Sequence, residues 1–178
     1  MKAARALAIL LSLLALGTGT VEAQLRPSER AEPPGRSIEP GVRVGLDYQN
    51  DAPILGGQVR LSIDPWLRLD LIPSVEFTFQ EGLTERQINL DAAFFLDPGR
   101  TVFVGGGAAY RNTIYLDDQE DPLPNRETRT GFNVLAGLHL AFTTVPVAMT
   151  VEARWSFVDN FEPQTLVVGV GYPLSLGF

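Results

Sequence analysis

Residues 165–178 read TLVVGVGYPLSLGF. Every second residue from Leu166 is apolar and bulky: Leu166, Val168, Val170, Tyr172, Leu174, Leu176 and Phe178. The interleaved residues Thr165, Val167, Gly169, Gly171, Pro173, Ser175 and Gly177 are small or weakly polar, Val167 excepted. A period of two is the pattern of a β-strand with two unlike faces. A strand of this length exceeds the roughly 3–10 residues usual in soluble domains. It suffices to cross a bilayer, which a tilted strand does in about 9–11 residues. Pro173 has no N–H to give to a ladder, so a local bulge is expected there.

The same alternation recurs upstream from Gly41. Val42, Val44, Leu46 and Tyr48 alternate with Arg43, Gly45 and Asp47; Leu55, Val59, Leu61 and Ile63 with Gln58, Arg60 and Ser62. Leu69, Leu71, Val75, Phe77 and Phe79 alternate with Arg68, Asp70, Ile72, Ser74 and Glu76; Ile88, Leu90, Ala92 and Phe94 with Asn89, Asp91, Ala93 and Phe95. Beyond the tight-turn sequence Asp97–Pro98–Gly99–Arg100, three more such segments carry Phe103, Ala109 and Arg111; Asn133, Leu135 and His139; and Glu152, Arg154 and Ser156 on their second faces. With the last stretch this makes eight strands and no helical period, hence an all-β, up-and-down antiparallel fold.

Three features decide which face lies inside. The polar face is rich in Gly, Ala and Ser, as the bore of an eight-stranded barrel requires, because it is only wide enough for side chains to fill. Connections alternate, with Asp64–Trp66, Asp97–Arg100 and Thr143–Pro146 short and the acidic Asn112–Arg126 segment long. Aromatic residues gather at strand ends, Tyr48, Phe77, Phe79, Tyr110, Phe132, Trp155 and Phe157 at one and Trp66, Phe142 and Phe178 at the other, like two interfacial girdles. Apolar side chains are therefore expected outside, against hydrocarbon, and charged ones inside. A sheet in hydrocarbon must close, since an open edge would leave backbone groups with no partner. From about Pro40 to Phe178 the chain resembles the small eight-stranded bacterial outer-membrane β-barrels, the OmpA- and OmpX-like group within the wider porin family of Gram-negative bacteria. The resemblance implies an outer-membrane location, a monomer, contact with lipid and lipopolysaccharide, and recognition by the barrel assembly machinery. In that family the machinery reads a C-terminal aromatic strand, which assigns the assembly signal to Tyr172, Leu174, Leu176 and Phe178.

The first 23 residues read as a secretory signal peptide. Met1–Arg5 is basic, Ala6–Gly17 is apolar apart from Ser12, and small residues precede a cleavage site after Ala23. Gln24–Pro40, with four prolines and mixed charge, reads as a flexible periplasmic leader, and 41–178 as the barrel. The absence of cysteine among 178 residues excludes a disulfide framework, thiolate metal sites and a lipidated cysteine. Without the leader peptide the chain keeps 12 arginines and no lysine against 20 acidic residues. That balance argues against nucleic acid as a partner.

The lumen is expected to hold Arg43, Asp47, Arg60, Arg68, Asp70, Glu76, Asp91, Arg111, His139, Glu152 and Arg154 as a paired network. Isolated charges in so narrow a bore would be costly, so a salt-bridged plug is expected, with a narrow gated solute channel as the alternative. His139 is the only histidine. With Ser156 and Glu152 it has the residue types of a lipid acyl hydrolase, as in outer-membrane deacylases, but all three share the lumen parity and no acyl chain would reach them easily. No catalytic residue, cofactor or metal is therefore assigned. Gly105–Gly106–Gly107 lacks the following Lys–Ser/Thr and helix of a phosphate loop. Asp117–Asp121 lacks the spacing of a calcium loop and reads as a solvated external loop. The external loops are expected at Asn50–Pro53, Glu81–Arg86, Asn112–Arg129 and Asp159–Pro163, and their partner has no readable code.

Overall fold

A computed structural model describes residues 36–64, 66–80, 83–115, 126–142, 145–158 and 163–176. The signal segment, the leader as far as Gly35, Asp117–Asp121 and Phe178 lie outside the described residues. The strands are β1 (Ser37–Asp47), β2 (Ala52–Asp64), β3 (Leu69–Gln80), β4 (Leu83–Phe95), β5 (Val102–Tyr115), β6 (Arg126–Ala141), β7 (Ala148–Val158), β8 (Gln164–Gly171) and β9 (Leu174–Ser175). Each strand from β1 to β8 pairs antiparallel with the next, and β8 and β9 both pair with β1. β8 and β9 are one interrupted stave, so eight staves close into a barrel with no free edge.

The interruption falls at Tyr172–Pro173, where Pro173 withholds its ladder bond; the Tyr172 amide still donates to Pro40 O at 2.9 Å, and Leu176 to Arg36 O at 2.9 Å. A second proline, Pro73, lies opposite Val59 inside β3. The β2–β3 ladder is interrupted there, between Gln58↔Ser74 and Leu61↔Leu71.

Five strand boundaries differ from the sequence reading. β1 begins at Ser37 rather than Gly41, so Ser37–Pro40 belong to the barrel and not to the leader: Glu39 pairs with Arg60 and Pro40 with Val59. At the β3–β4 and β5–β6 hairpin ends, β4, β5 and β6 run beyond their apolar segments. Leu83–Arg86, Asn112–Tyr115 and Arg126–Arg129, expected in loops, are laddered strand. Pro53 likewise lies in β2, paired with Leu46. Backbone pairing continues where the outer face is polar because a hairpin satisfies its amides in water as well as in lipid.

Side-chain direction follows the period of two. Val42, Val44, Leu55, Ile88, Leu90, Val104, Val134, Leu138 and Val170 are exposed on the outer wall. Arg43, Arg60, Glu76, Glu152 and Arg154 are buried within. Tyr48, Phe79, Tyr110, Phe132 and Trp155 are exposed towards one rim, and Trp66, Phe142 and Tyr172 towards the other. Phe132 and Phe157 stack at a centroid distance of 4.8 Å.

The turn 96–101 shows how tightly the short connections are held. Asp97 Oδ1 accepts the Thr101 amide at 2.9 Å and the Val102 amide at 2.7 Å, while Leu96 N donates to Val102 O at 2.8 Å. Slight burial opposes ionisation of Asp97, but the Val102 and Thr101 amides prevail and hold its carboxyl below the usual range. Arg100 takes the left-handed conformation, φ 56°, that closes the turn.

Candidate functional site in the barrel lumen

The bore is filled by three tiers of side chains, each delivered by the inward positions of several strands. In the middle tier Arg43 from β1 and Arg154 from β7 face Glu76 from β3, Asp91 from β4 and Glu152 from β7. Arg43 Nη2 donates to Glu152 Oε1 at 2.7 Å, and its Nε lies 3.1 Å from Glu76 Oε1. Arg154 Nη1 donates to Glu76 Oε1 at 2.9 Å, and its Nη2 to Asp91 Oδ2 at 2.9 Å, with Glu152 Oε1 at 2.8 Å. Arg43, Arg154 and Glu152 are each about 1% exposed, so these charges are removed from water and depend on one another.

An amide and hydroxyl chain is attached to this cluster. Asn133 Nδ2 donates to Asp91 Oδ1 and to Asn89 Oδ1, both at 2.9 Å. Asn89 Nδ2 donates to Ser74 Oγ at 3.2 Å, Ser156 Oγ to Asn133 Oδ1 at 2.7 Å, and Gln87 Nε2 to Asn89 Oδ1 at 2.7 Å. These uncharged residues stand on the polar face in the sequence, but periodicity does not show that they form one connected network.

Towards the loop end, Arg111 is bonded to Glu85 and stands 3.9 Å from Asp47. Asp47 also accepts the Gln49 amide at 3.0 Å and so caps the β1–β2 turn. Towards the short-turn end, the floor is apolar: Ile72, Ala93, Phe95, Phe103 and Leu135 form a buried cluster. Phe103 fits because its cross-strand neighbour is Gly137, where a Cβ would lie 2.6 Å from the ring. Arg60 donates to Asp70 Oδ2 at 3.2 Å and lies over the Phe103 ring at 4.9 Å. Arg100, also bonded to Asp70, lies over Phe95 at 4.5 Å. His139 Nε2 meets Glu39 Oε2 at 3.0 Å across the bore, with its ring edge on Phe95 at 5.9 Å.

Ten of the eleven lumen residues expected from the sequence are therefore brought inside. Arg68 is the exception and is a correction. The β2–β3 register shifts between Ser62 and Asp64, and Arg68 adopts φ 56° in the turn, so parity is lost there. Its guanidinium lies over the outward Phe94 ring at 5.7 Å and donates to Leu96 O at 3.4 Å. Three ionised members of the lumen were not anticipated. Glu39 lies in the proline-rich segment assigned to the leader, although it shares parity with Arg43. Glu85 lies in a segment assigned to a loop, although it shares parity with Gln87. Arg100 belongs to a turn and folds back into the bore, which no periodic signal reveals. Tyr172, Leu174 and Leu176 line the outer wall of the closing stave, Tyr172 and Leu174 exposed. Among the described residues there is no cluster of three or more potential metal ligands.

No protein-family model and no curated protein sequence matches the chain. Solved structures do. The N-terminal β-barrel domain of OprF from Pseudomonas aeruginosa superposes with a TM-score of 0.64 at 20% identity, over 78% of this chain and 97% of that one. Neisserial surface protein A, NspA, gives 0.55 at 14% identity over 77% and 94%. Ail, the attachment invasion locus protein of Yersinia pestis, gives 0.52 at 18% identity over 79% and 99%. With its eight closed staves, its apolar exterior and its ionised interior, the chain has the fold of the small eight-stranded outer-membrane β-barrels.

Proposed function

We propose that this protein is a non-conducting barrel of the bacterial outer membrane, with a structural or loop-mediated interaction role rather than an enzymatic one. The observation that carries the reading is the filled bore: the Arg43–Glu152–Arg154–Glu76–Asp91 cluster spans it, and Phe95, Phe103 and Ile72 floor it. The membrane setting rests on the apolar exterior, which in water would be far larger than the patch a soluble monomer exposes. The long β5–β6 connection belongs to the outside, which assigns the β2–β3 and β4–β5 turns, at the opposite end of the barrel, to the periplasm. Lipid and lipopolysaccharide cover the wall, and the assembly machinery receives the closing stave. A closed barrel satisfies its own edges, so a monomer suffices.

His139 is engaged with Glu39 inside the bore, remote from the acyl chains that a lipid hydrolase would have to bind. This supports a non-catalytic role for the only histidine. Planar-bilayer recording tests the reading against a solute channel. The plugged barrel shows no steady single-channel current, and a stable, reproducible open level in the unaltered protein overturns the plug.

A further inference from the structure

We propose that the outer wall carries a seat for one anionic phospholipid of the periplasmic leaflet, with its acyl chain in a groove over β1–β4 and its phosphate near Arg36 and Arg68. This rests on the membrane setting argued above. The groove is a shallow, open depression of about 410 Å³ lined by Pro40, Gly57, Val59, Pro73, Val75 and Ile88. Two rows of outward residues build it. Val42, Gly57, Val75 and Ile88 are successive cross-strand neighbours, and the next row holds Pro40, Val59, Pro73 and Leu90. Gly57 presents no side chain where its neighbours present branched ones, and this makes the depression. Pro40 and Pro73 flank Val59 on both sides, and neither has an amide N–H to turn towards the lipid. An apolar hollow continuous with the hydrocarbon-facing wall calls for an acyl chain.

The charges identify which lipid. Along the same strands, towards the short-turn rim, stand Arg36 below β1 and Arg68 in the β2–β3 turn, Arg36 exposed and Arg68 half-buried. Arg36 precedes Pro40 by four residues and Arg68 precedes Pro73 by five, which sets each Cα roughly 13–17 Å along the wall from the groove, with the Arg68 guanidinium on the Phe94 side. That spacing matches a headgroup at the interface and a chain running inward from it. Trp66, 79% exposed in the same turn, occupies the interfacial position that amphipathic rings favour. Asp64, in the same turn, accepts the Trp66 amide at 2.9 Å and the Leu67 amide at 3.0 Å as its cap. Two arginines at an anionic leaflet surface attract phosphate.

The test uses the full chain folded into vesicles of phosphatidylethanolamine with a minority of phosphatidylglycerol, extracted in mild detergent and weighed by native mass spectrometry. One retained phosphatidylglycerol per barrel is expected. Gly57→Leu fills the hollow, and a Cβ at Gly57 meets nothing closer than Gly41 O at 3.7 Å, so the barrel still folds. Occupancy is lost in this variant, because the leucine side chain takes the space of the acyl chain and removes its packing contacts. Arg36→Gln with Arg68→Gln removes the preference for phosphatidylglycerol over phosphatidylethanolamine. Heat-modifiable gel mobility confirms that each variant is folded. A folded Gly57→Leu barrel that retains lipid as the unaltered protein does overturns the seat. So does a double arginine variant with unchanged headgroup preference. A chain that fails to insert into vesicles at all contradicts instead the membrane setting on which the seat depends.

Discussion

Arg154→Ala lowers the free energy of unfolding, measured by urea titration in phospholipid vesicles, by about 3–5 kcal/mol. Arg154 touches Glu76, Asp91 and Glu152, and of the cluster's cations only Arg43 would remain. Three buried carboxylates would then share one guanidinium. The loss is large because a stranded buried charge costs far more than an intact pair contributes. The same asymmetry predicts a rescue: adding Glu76→Gln and Asp91→Asn to Arg154→Ala removes the stranded charges, leaves Arg43 paired with Glu152, and recovers most of the lost stability. An Arg154→Ala barrel as stable as the parent would mean that water already solvates these carboxylates, and the plug would be a hydrated channel.

The second large effect lies on the opposite face of the sheet. Val104→Arg destabilises the barrel in vesicles by about 2–4 kcal/mol, the cost of an arginine facing the middle of a bilayer. Val104 is 40% exposed on β5, between Phe94 on β4 and Ala136 on β6. By exposure alone it is a surface position, and in a water-soluble protein a surface substitution of this kind stays within about 0.5 kcal/mol. The solvent, not the fold, therefore decides the outcome. A tolerated arginine at this position would mean that the apolar wall is not against hydrocarbon.

The architecture is legible because a strand offers each side chain only two directions. Once Leu166, Val168 and Val170 are assigned outward, Val167 and Gly169 must point inward, and pairing carries that choice around the barrel through Val44↔Val168 and Val151↔Val168. The rule fails where the backbone leaves the pleat. The register shift after Ser62 and the left-handed φ at Arg68 turn that arginine outward, and the same conformation at Arg100 sends a turn residue back to Asp70. Glu39 escapes because prolines on its segment outweigh a parity that is correct. Membership of the lumen is thus readable, but its pairing is not. Arg43 meets Glu152 across 109 residues of sequence, and this depends on how the staves are staggered around the bore. The hollow at Gly57 is invisible in one dimension too, since it needs Pro40, Val59 and Pro73 to fall in one row across three strands.

The absence of cysteine leaves a clean background for single nitroxide labels. Labels at Val104 and Val134 on the outer wall, and at Gln49 in the β1–β2 turn, report directly what surrounds each position when the barrel sits in lipid vesicles. Collisions with dissolved oxygen outnumber those with a water-soluble nickel chelate at Val104 and Val134, and the order reverses at Gln49. Free access of the nickel chelate to Val104 and Val134 would contradict a barrel whose apolar side chains face acyl chains.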